Sequence, residues 1–158
     1  MQFESDTIRF VNGISSVRTP EVLYAWADVD WDRSFLVLKA IEGQTLDQAW
    51  DSLSTDQHIQ ITVTVTQICK ALALSTSEML MNADGNGVVK PFLTAIAPES
   101  EPSWKPNMFR PYSQSDLRCL FSKSSLLDNY TKFYFYHADL RPSNIMVKED
   151  GSIVGIID

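Results

Sequence analysis

The most regular pattern of apolar and polar positions lies between Asp56 and Ala73. There Ile61, Val65, Ile68 and Leu72 recur at i, i+4, i+7 and i+11, the spacing of one buried face of a helix. Ser54 or Thr55 supplies an N-cap for a helix beginning at Asp56. The β-branched run Ile61 to Thr66 lowers helix propensity without disturbing the period. A shorter helix, capped by Thr45 and reaching Trp50, precedes it after Glu42-Gly43. At the amino terminus Phe3, Thr7, Phe10 and Val11 share one helical face and Glu4, Asp6 and Arg9 the other, with Asn12-Gly13 as the stop.

Between these helices the period changes. Val17 to Pro20 reads as extended, because the residue before a proline is displaced from helical dihedrals. Glu21 to Trp26 and Ser34 to Ile41 are apolar, β-prone runs separated by a turn carrying Asp28, Asp30 and Asp32, which predicts an antiparallel hairpin. From Asn82 to about Lys105 the glycines and prolines Gly85, Gly87, Pro91, Pro98 and Pro102 mark a connection with at most a short strand near Val88. Ser115 to Tyr130 reads as a helix with Leu117, Leu120, Phe121 and Leu127 inward. At the carboxyl end an aromatic strand, Phe133 to Tyr136, leads into a polar loop from His137 to Asn144. A hairpin follows: Ile145 to Val147, a turn at Glu149-Asp-Gly151, and Ile153 to Ile157, ending on Asp158. The fold class expected is α+β.

Composition narrows the function more than the fold. With 44% hydrophobic and 21% charged residues, the chain of 158 residues is that of a folded protein rather than a disordered one. A net charge of -7 disfavours a protein that binds nucleic acid or an anionic membrane surface through a general basic field. Neither a leader-like amino terminus nor an apolar run of membrane-spanning length is present, so a cytoplasmic protein without membrane or nucleic-acid partners is expected. Cys69 and Cys119 lack the spacing of a zinc site or a disulfide framework and read as buried thiols.

The segment His137-Ala-Asp139-Leu-Arg141-Pro-Ser-Asn144 has the form H-x-D-x-x-x-x-N and is followed at once by the hairpin that delivers Asp158. That arrangement suits phosphoryl transfer. An Asp in the loop accepts the proton of an attacking hydroxyl, an Asn five residues on offers a side-chain oxygen to magnesium, and a carboxylate at the end of the second strand holds the same metal. Asp, Asn, Ser and Pro also favour loops for purely local reasons, so an ordinary turn is the alternative. A transition-metal hydrolase using His137 and Asp139 is a weaker reading, because the chain's other histidine, His58, falls mid-helix and such sites usually need more imidazole or thiolate.

The run His137 to Val147, with Gly155-Ile-Ile-Asp158 after it, resembles the catalytic loop and metal-binding strand of aminoglycoside phosphotransferases and related small-molecule kinases of protein-kinase-like fold. The resemblance implies that Asp139 is the catalytic base, that Asn144 and Asp158 hold Mg2+, and that His137 orients the loop. Arg141 departs from the small residue or His expected after Leu140 and would touch substrate or phosphate.

Further upstream, Phe35 to Gly43 with Thr45, Leu46 and Trp50 is similar to the last small-lobe strand and the hinge. There the backbone of Lys39, Ala40 and Ile41 would meet the adenine of ATP; a buried strand before a capped helix accounts for the same residues. On this alignment Glu4 is the acid that pairs with the phosphate-binding lysine, or else a solvated helix charge. Residues 1–41 would then be a remnant of the small lobe and 42–158 part of the large lobe. The Gly-rich loop and strand lysine of the family have no counterpart in these residues, and the large lobe would be incomplete.

The parent reaction implied is transfer of the γ-phosphoryl group of ATP to a hydroxyl of a small molecule. Trp104, Phe109 and Tyr112, within the region Ala97 to Tyr130, are candidate acceptor contacts. The rival reading is a noncatalytic kinase-like remnant serving as a binding or interaction module, which implies exposed apolar surface and non-specific self-association.

Overall fold

The computed structural model describes residues 3–14, 17–28, 30, 33–88, 109–121 and 131–157. The chain is α+β, and its two compact units consist of residues 1–75 with 135–158, and residues 76–134. The expected boundary between residues 41 and 42 falls inside the first of these units.

In the first unit, helix α1 (Phe3–Asn12) ends where Asn12-Gly13 predicts. Strands β1 (Val22–Asp28) and β2 (Arg33–Leu38) form the predicted antiparallel hairpin, a sheet of two strands among the described residues. Its register opposes Tyr24 to Val37, Trp26 to Phe35 and Asp28 to Arg33, with an irregularity between Val22 and Tyr24. The second strand stops at Leu38 rather than Ile41, so Lys39, Ala40 and Ile41 are an extended connection. One further bond, from the Lys39 amide to the Glu21 carbonyl (2.9 Å), prolongs the ladder.

Strand β3 (Gln44–Thr45) runs straight into the four-residue helix α2 (Leu46–Ala49) and a 3-10 turn over Trp50–Ser52. Helix α3 (Thr55–Ala73) starts at the predicted cap. The Ser54 Oγ accepts the Gln57 amide at 3.3 Å, and the Gln57 side chain returns to accept the Ser54 amide at 2.7 Å. This reciprocal pair satisfies two of the donors that every helix start leaves open. The predicted face is the buried one: Ile61, Ile68 and Leu72 are in the core and Val65 packs against it. Thr62, Thr64 and Thr66 each donate a hydroxyl hydrogen bond to the carbonyl four residues back, so the β-branched stretch satisfies its polar atoms within the helix.

The last elements of this unit are a 3-10 turn over Pro142–Asn144 and strands β8 (Ile145–Val147) and β9 (Ile153–Ile156), the predicted hairpin. Strand β3 pairs antiparallel with β8, Gln44 facing Val147 and Thr45 facing Met146, giving the sheet order β3-β8-β9. Gly43 makes the approach work. It sits at φ 145°, and a Cβ there would lie 2.6 Å from the Val147 carbonyl oxygen. Val147, Ile145 and Ile156 from this sheet meet Leu46, Ala49 and Leu53, the α3 face, and Val11 and Val17 in one core.

The described residues of the second unit form short paired strands and one helix. Strand β4 (Thr76–Ser77) pairs with β7 (Phe133–Tyr134), and β5 (Met79–Leu80) with β6 (Tyr112–Ser113). The aromatic strand expected through Tyr136 is thus two residues long. Val88 and Phe109 form an isolated bridge where a short strand was expected, and Val88 is 1% exposed. Helix α4 (Gln114–Leu120) covers the first half of the predicted helix, with Leu117 buried; Leu127 and Trp104 lie outside the described residues.

Its start is held by Asp116. The carboxylate accepts the Ser113 amide (2.8 Å) and hydroxyl (2.6 Å) and pairs with Arg110 (2.8 Å). Those donors, Arg110 first, push the Asp116 carboxyl well below the ordinary carboxylate range. The two cysteines correct the sequence reading: both are free and exposed. Cys69 follows the buried Ile68 and Cys119 lies two residues past the buried Leu117; each residue of a helix is rotated about 100° from the one before, so neither thiol shares the inward direction.

Candidate functional site

The loop of His137 to Asn144 is organised by hydrogen bonds among the residues that the motif singles out. The Asp139 amide donates to His137 Nδ1 at 3.2 Å, so the ring nitrogen facing the loop is an unprotonated acceptor and a neutral His137 carries its proton on Nε2. Two residues on, the Arg141 amide donates to the Asp139 carbonyl (3.0 Å), and the Asn144 amide to the Arg141 carbonyl (2.9 Å). The first is a tight three-residue turn; the second, with the Ile145 amide donating to the Pro142 carbonyl, winds the chain into the 3-10 turn. Pro142 at its start loses nothing there, because a helix's first N–H has no internal partner.

Asn144 is the buried residue of the loop, 5% exposed. Its Nδ2 donates to the Asp139 carbonyl at 3.0 Å and reaches the Asp139 Oδ2 at 3.3 Å, while its Oδ1 accepts from the Ser143 hydroxyl at 3.2 Å. Asp139 itself is half open to solvent, its side chain 54% exposed, and the Arg141 guanidinium lies 3.1 Å from Oδ2. The motif thus places one accessible carboxylate whose backbone and side chain are both gripped by a buried amide. The far end of β9 joins the same cluster: the Ile157 amide donates to the Asn144 carbonyl at 2.9 Å. Asp158 lies outside the described residues.

A second feature of this unit is an open cleft of about 330 Å³ lined by Asn12, Arg18, Thr19, Glu21, Lys39 and Ile41, among others. Lys39, Ala40 and Ile41, the residues proposed from sequence to meet a nucleotide, all belong to its wall. The Lys39 ammonium is held by Glu21 at 3.2 Å. Opposite, the chain entering β1 is tied to β9 by a bond from the Ile156 amide to the Arg18 carbonyl (2.9 Å). Gly155 leaves room for Ile41, whose Cδ1 occupies the place a β-carbon would take. Glu4 is exposed in the first turn of α1 and makes no ion pair among the described residues.

In the second unit, Phe109 and Tyr112, candidate acceptor contacts from sequence, are tilted against each other at 6.5 Å, and Arg110 stacks over the Tyr112 ring at 5.0 Å. Both aromatics are therefore engaged in local packing.

Sequence reasoning picked out His137, Asp139, Arg141 and Asn144, and the fold brings all four together. It missed Ser143, whose hydroxyl fixes the Asn144 amide, and Asn12, Arg18 and Thr19 of the cleft. Adjacency to Asn144 in the motif could have flagged Ser143. Nothing local flags the cleft residues, which are assembled by contacts distant in sequence. Among the described residues no group of three or more His, Cys, Asp or Glu side chains converges on a metal position. The donors at the loop are oxygens, from a carboxylate and an amide, the chemistry of a hard cation such as Mg2+. The Asn144 Oδ1 keeps a second lone pair beside the one facing Ser143.

No family model matches the chain, and no curated protein or solved structure shows significant similarity to it.

Proposed function

We propose that the first unit carries the catalytic loop of an ATP-dependent phosphotransferase of the aminoglycoside-phosphotransferase type, acting on a hydroxyl of a small molecule. The observation that carries the reading is the grip of the buried Asn144 amide on Asp139, with the end of β9 bonded to the same Asn. An open carboxylate pinned by backbone and side-chain bonds suits a base that must be positioned rather than merely present.

In the proposed step the acceptor hydroxyl gives its proton to Asp139 as its oxygen bonds to the γ-phosphorus, and the bond from that phosphorus to the bridging oxygen of the departing diphosphate breaks. Asn144 and Asp158 would hold Mg2+, which supplies charge stabilisation at the phosphates. His137 positions Asp139 through the amide it accepts. Arg141, beside the carboxylate, is placed to meet an anionic group at the same loop. Lys39 to Ile41 would receive the nucleotide base at the cleft. Glu4, in the first turn of α1, would be the acid that pairs with a phosphate-binding lysine.

Magnesium-dependent ATP turnover by the whole chain, with Asp139→Ala as control, tests the proposal, together with calorimetric titration of Mg-ATP. A turnover that needs Asp139 supports it. Turnover indifferent to Asp139, or a folded chain that takes up no Mg-ATP, refutes it. The latter result would favour the second reading, a noncatalytic kinase-like binding module, for which the exposed aromatic face of the β1–β2 hairpin speaks.

A further inference from the structure

The two carboxylate oxygens of Asp139 are used unequally. The Asn144 Nδ2 donates to Oδ2 at 3.3 Å, and the Arg141 guanidinium lies 3.1 Å from the same oxygen. Among the described residues Oδ1 has no partner, so it is the oxygen left open to an acceptor hydroxyl.

Arg141 is fixed at its root and free at its tip. Its amide donates to the Asp139 carbonyl and its carbonyl accepts the Asn144 amide. Pro142 after it keeps its backbone extended, at φ -121° and ψ 164°. The side chain is 61% exposed, and Asp139 is its one acid partner among the described residues. No other Lys or Arg lies between His137 and Val147. An acceptor that sets its hydroxyl against Oδ1 therefore brings its neighbouring atoms beside a single, mobile-ended cation.

The sign of a substituent on those atoms decides the fit. A cationic group is repelled by Arg141. A neutral acceptor leaves the ion pair as it is, and protonation of Asp139 then strands the guanidinium without an acid partner. A carboxylate or phosphate draws the guanidinium onto itself through paired N–H···O bonds and remains its partner when Asp139 becomes neutral.

We propose that the acceptor is an anionic alcohol, a small hydroxy compound with a carboxylate or phosphate beside the hydroxyl, and that Arg141 selects it. The inference rests on the phosphotransferase reading and adds the substrate class. Arg141 neither gives nor takes a proton in the step. It passes from the Asp139 carboxylate to the anion of the acceptor. The hydroxyl proton goes to Oδ1 as the hydroxyl oxygen bonds to the γ-phosphorus and the bond to the bridging oxygen of the diphosphate breaks. The γ-phosphate of ATP competes for the same guanidinium, and the test separates the two.

The test uses the full chain and probes of one carbon skeleton: glycerate, glycerol phosphate, neutral glycerol and cationic serinol. ADP release from Mg-ATP is measured with each. One or both anions should show a kcat/KM at least about tenfold above that of glycerol, with serinol the poorest. Arg141→Gln, shown folded by circular dichroism, should abolish the preference, with a larger change in the KM for acceptor than in that for Mg-ATP, and Arg141→Lys should restore part of it. Equal use of the probes overturns the proposal, as does a loss confined to the KM for Mg-ATP, which would assign the guanidinium to the γ-phosphate. A second readout needs no turnover: the Arg141 Nε–Hε resonance of the isotope-labelled chain, titrated with glycerate, glycerol phosphate and glycerol in the absence of ATP. If no ATP is turned over, the phosphotransferase reading fails, while selection of an anion by Arg141 is decided by this titration. A shift with either anion and none with glycerol supports it, and no shift, or an equal shift with glycerol, overturns it.

Discussion

Replacing Asn144 tests the organisation of the loop directly. Asn144→Ala removes the donor that serves the Asp139 carbonyl at 3.0 Å and the Asp139 carboxylate at 3.3 Å, and the acceptor of the Ser143 hydroxyl. A buried hydrogen-bonding group whose partners are orphaned costs about 1–3 kcal/mol, more where a charge is left alone. Here the orphaning is partial. The Asp139 carbonyl still accepts the Arg141 amide, and the carboxylate keeps the Arg141 guanidinium and is about half exposed, so water replaces the lost donor.

The expected loss is therefore in the lower half of that range, about 1–2 kcal/mol. For a chain of this size that corresponds to a fall in melting temperature of roughly 2–8 °C. Asn144→Asp is the sharper variant. It turns a carboxylate toward the Asp139 carboxylate, so at neutral pH it should cost more than the alanine. The two acids share one site, which raises the carboxyl pKa in the folded state above its unfolded value; stability is therefore recovered as the pH falls through that raised value. Denaturant unfolding at pH 7 and pH 5, followed by circular dichroism, measures both. If Asn144→Ala costs less than about 0.3 kcal/mol, or Asn144→Asp is no worse than alanine at pH 7, the side chain is not what holds the loop.

Three further outcomes are expected. Gly155→Ala places a methyl group where the Ile41 side chain lies and should destabilise by about 1–3 kcal/mol, with much of the loss recovered in Gly155→Ala/Ile41→Val as read by a double-mutant cycle. Asp116 has its folded carboxyl pKa lowered by Arg110 and Ser113, so its contribution is present above the unfolded value near about 3.9 and is lost as the pH falls toward the folded one; acid unfolding of Asp116→Asn, monitored by residue-level exchange in α4, should show a flatter acid limb than the parent. Both cysteines should react with a thiol reagent such as Ellman's in the native chain, two per molecule without denaturant, and one or none would show the helices to be turned otherwise.

Where the information is local, the sequence reading and the structure agree. The α3 face, its serine cap, the two hairpins and the loop between His137 and Asn144 follow from period, capping chemistry and turn residues, all settled within a few positions. The departures involve partners remote in sequence. Nothing near Gln44 says that it will pair with Val147, or near Thr76 that it will pair with Tyr134. The β-prone run after Ser34 extends to Ile41 in sequence, but Lys39 keeps only one bond to β1 and Ala40 and Ile41 pass on along the wall of the cleft. The cysteines were assigned by the average habit of their residue type, and the helical phase of their neighbours was the better guide. At the loop, the spacing H-x-D-x-x-x-x-N named the residues that meet, while the grip of the buried amide on Asp139 required the fold.

The bond from the Ile157 amide to the Asn144 carbonyl has a dynamic consequence. Asn144 is at once the anchor of Asp139 through its side chain and the clasp for the end of β9 through its backbone. Opening the loop therefore cannot be a private motion of a few surface residues. To free Asp139 by displacing Asn144, the clasp must also be released, so the exchange of the Ile157 amide with solvent should report loop opening. A force applied to the chain at β9 would travel to the carboxylate through two hydrogen bonds and one residue, making the loop and the strand end a single cooperative element.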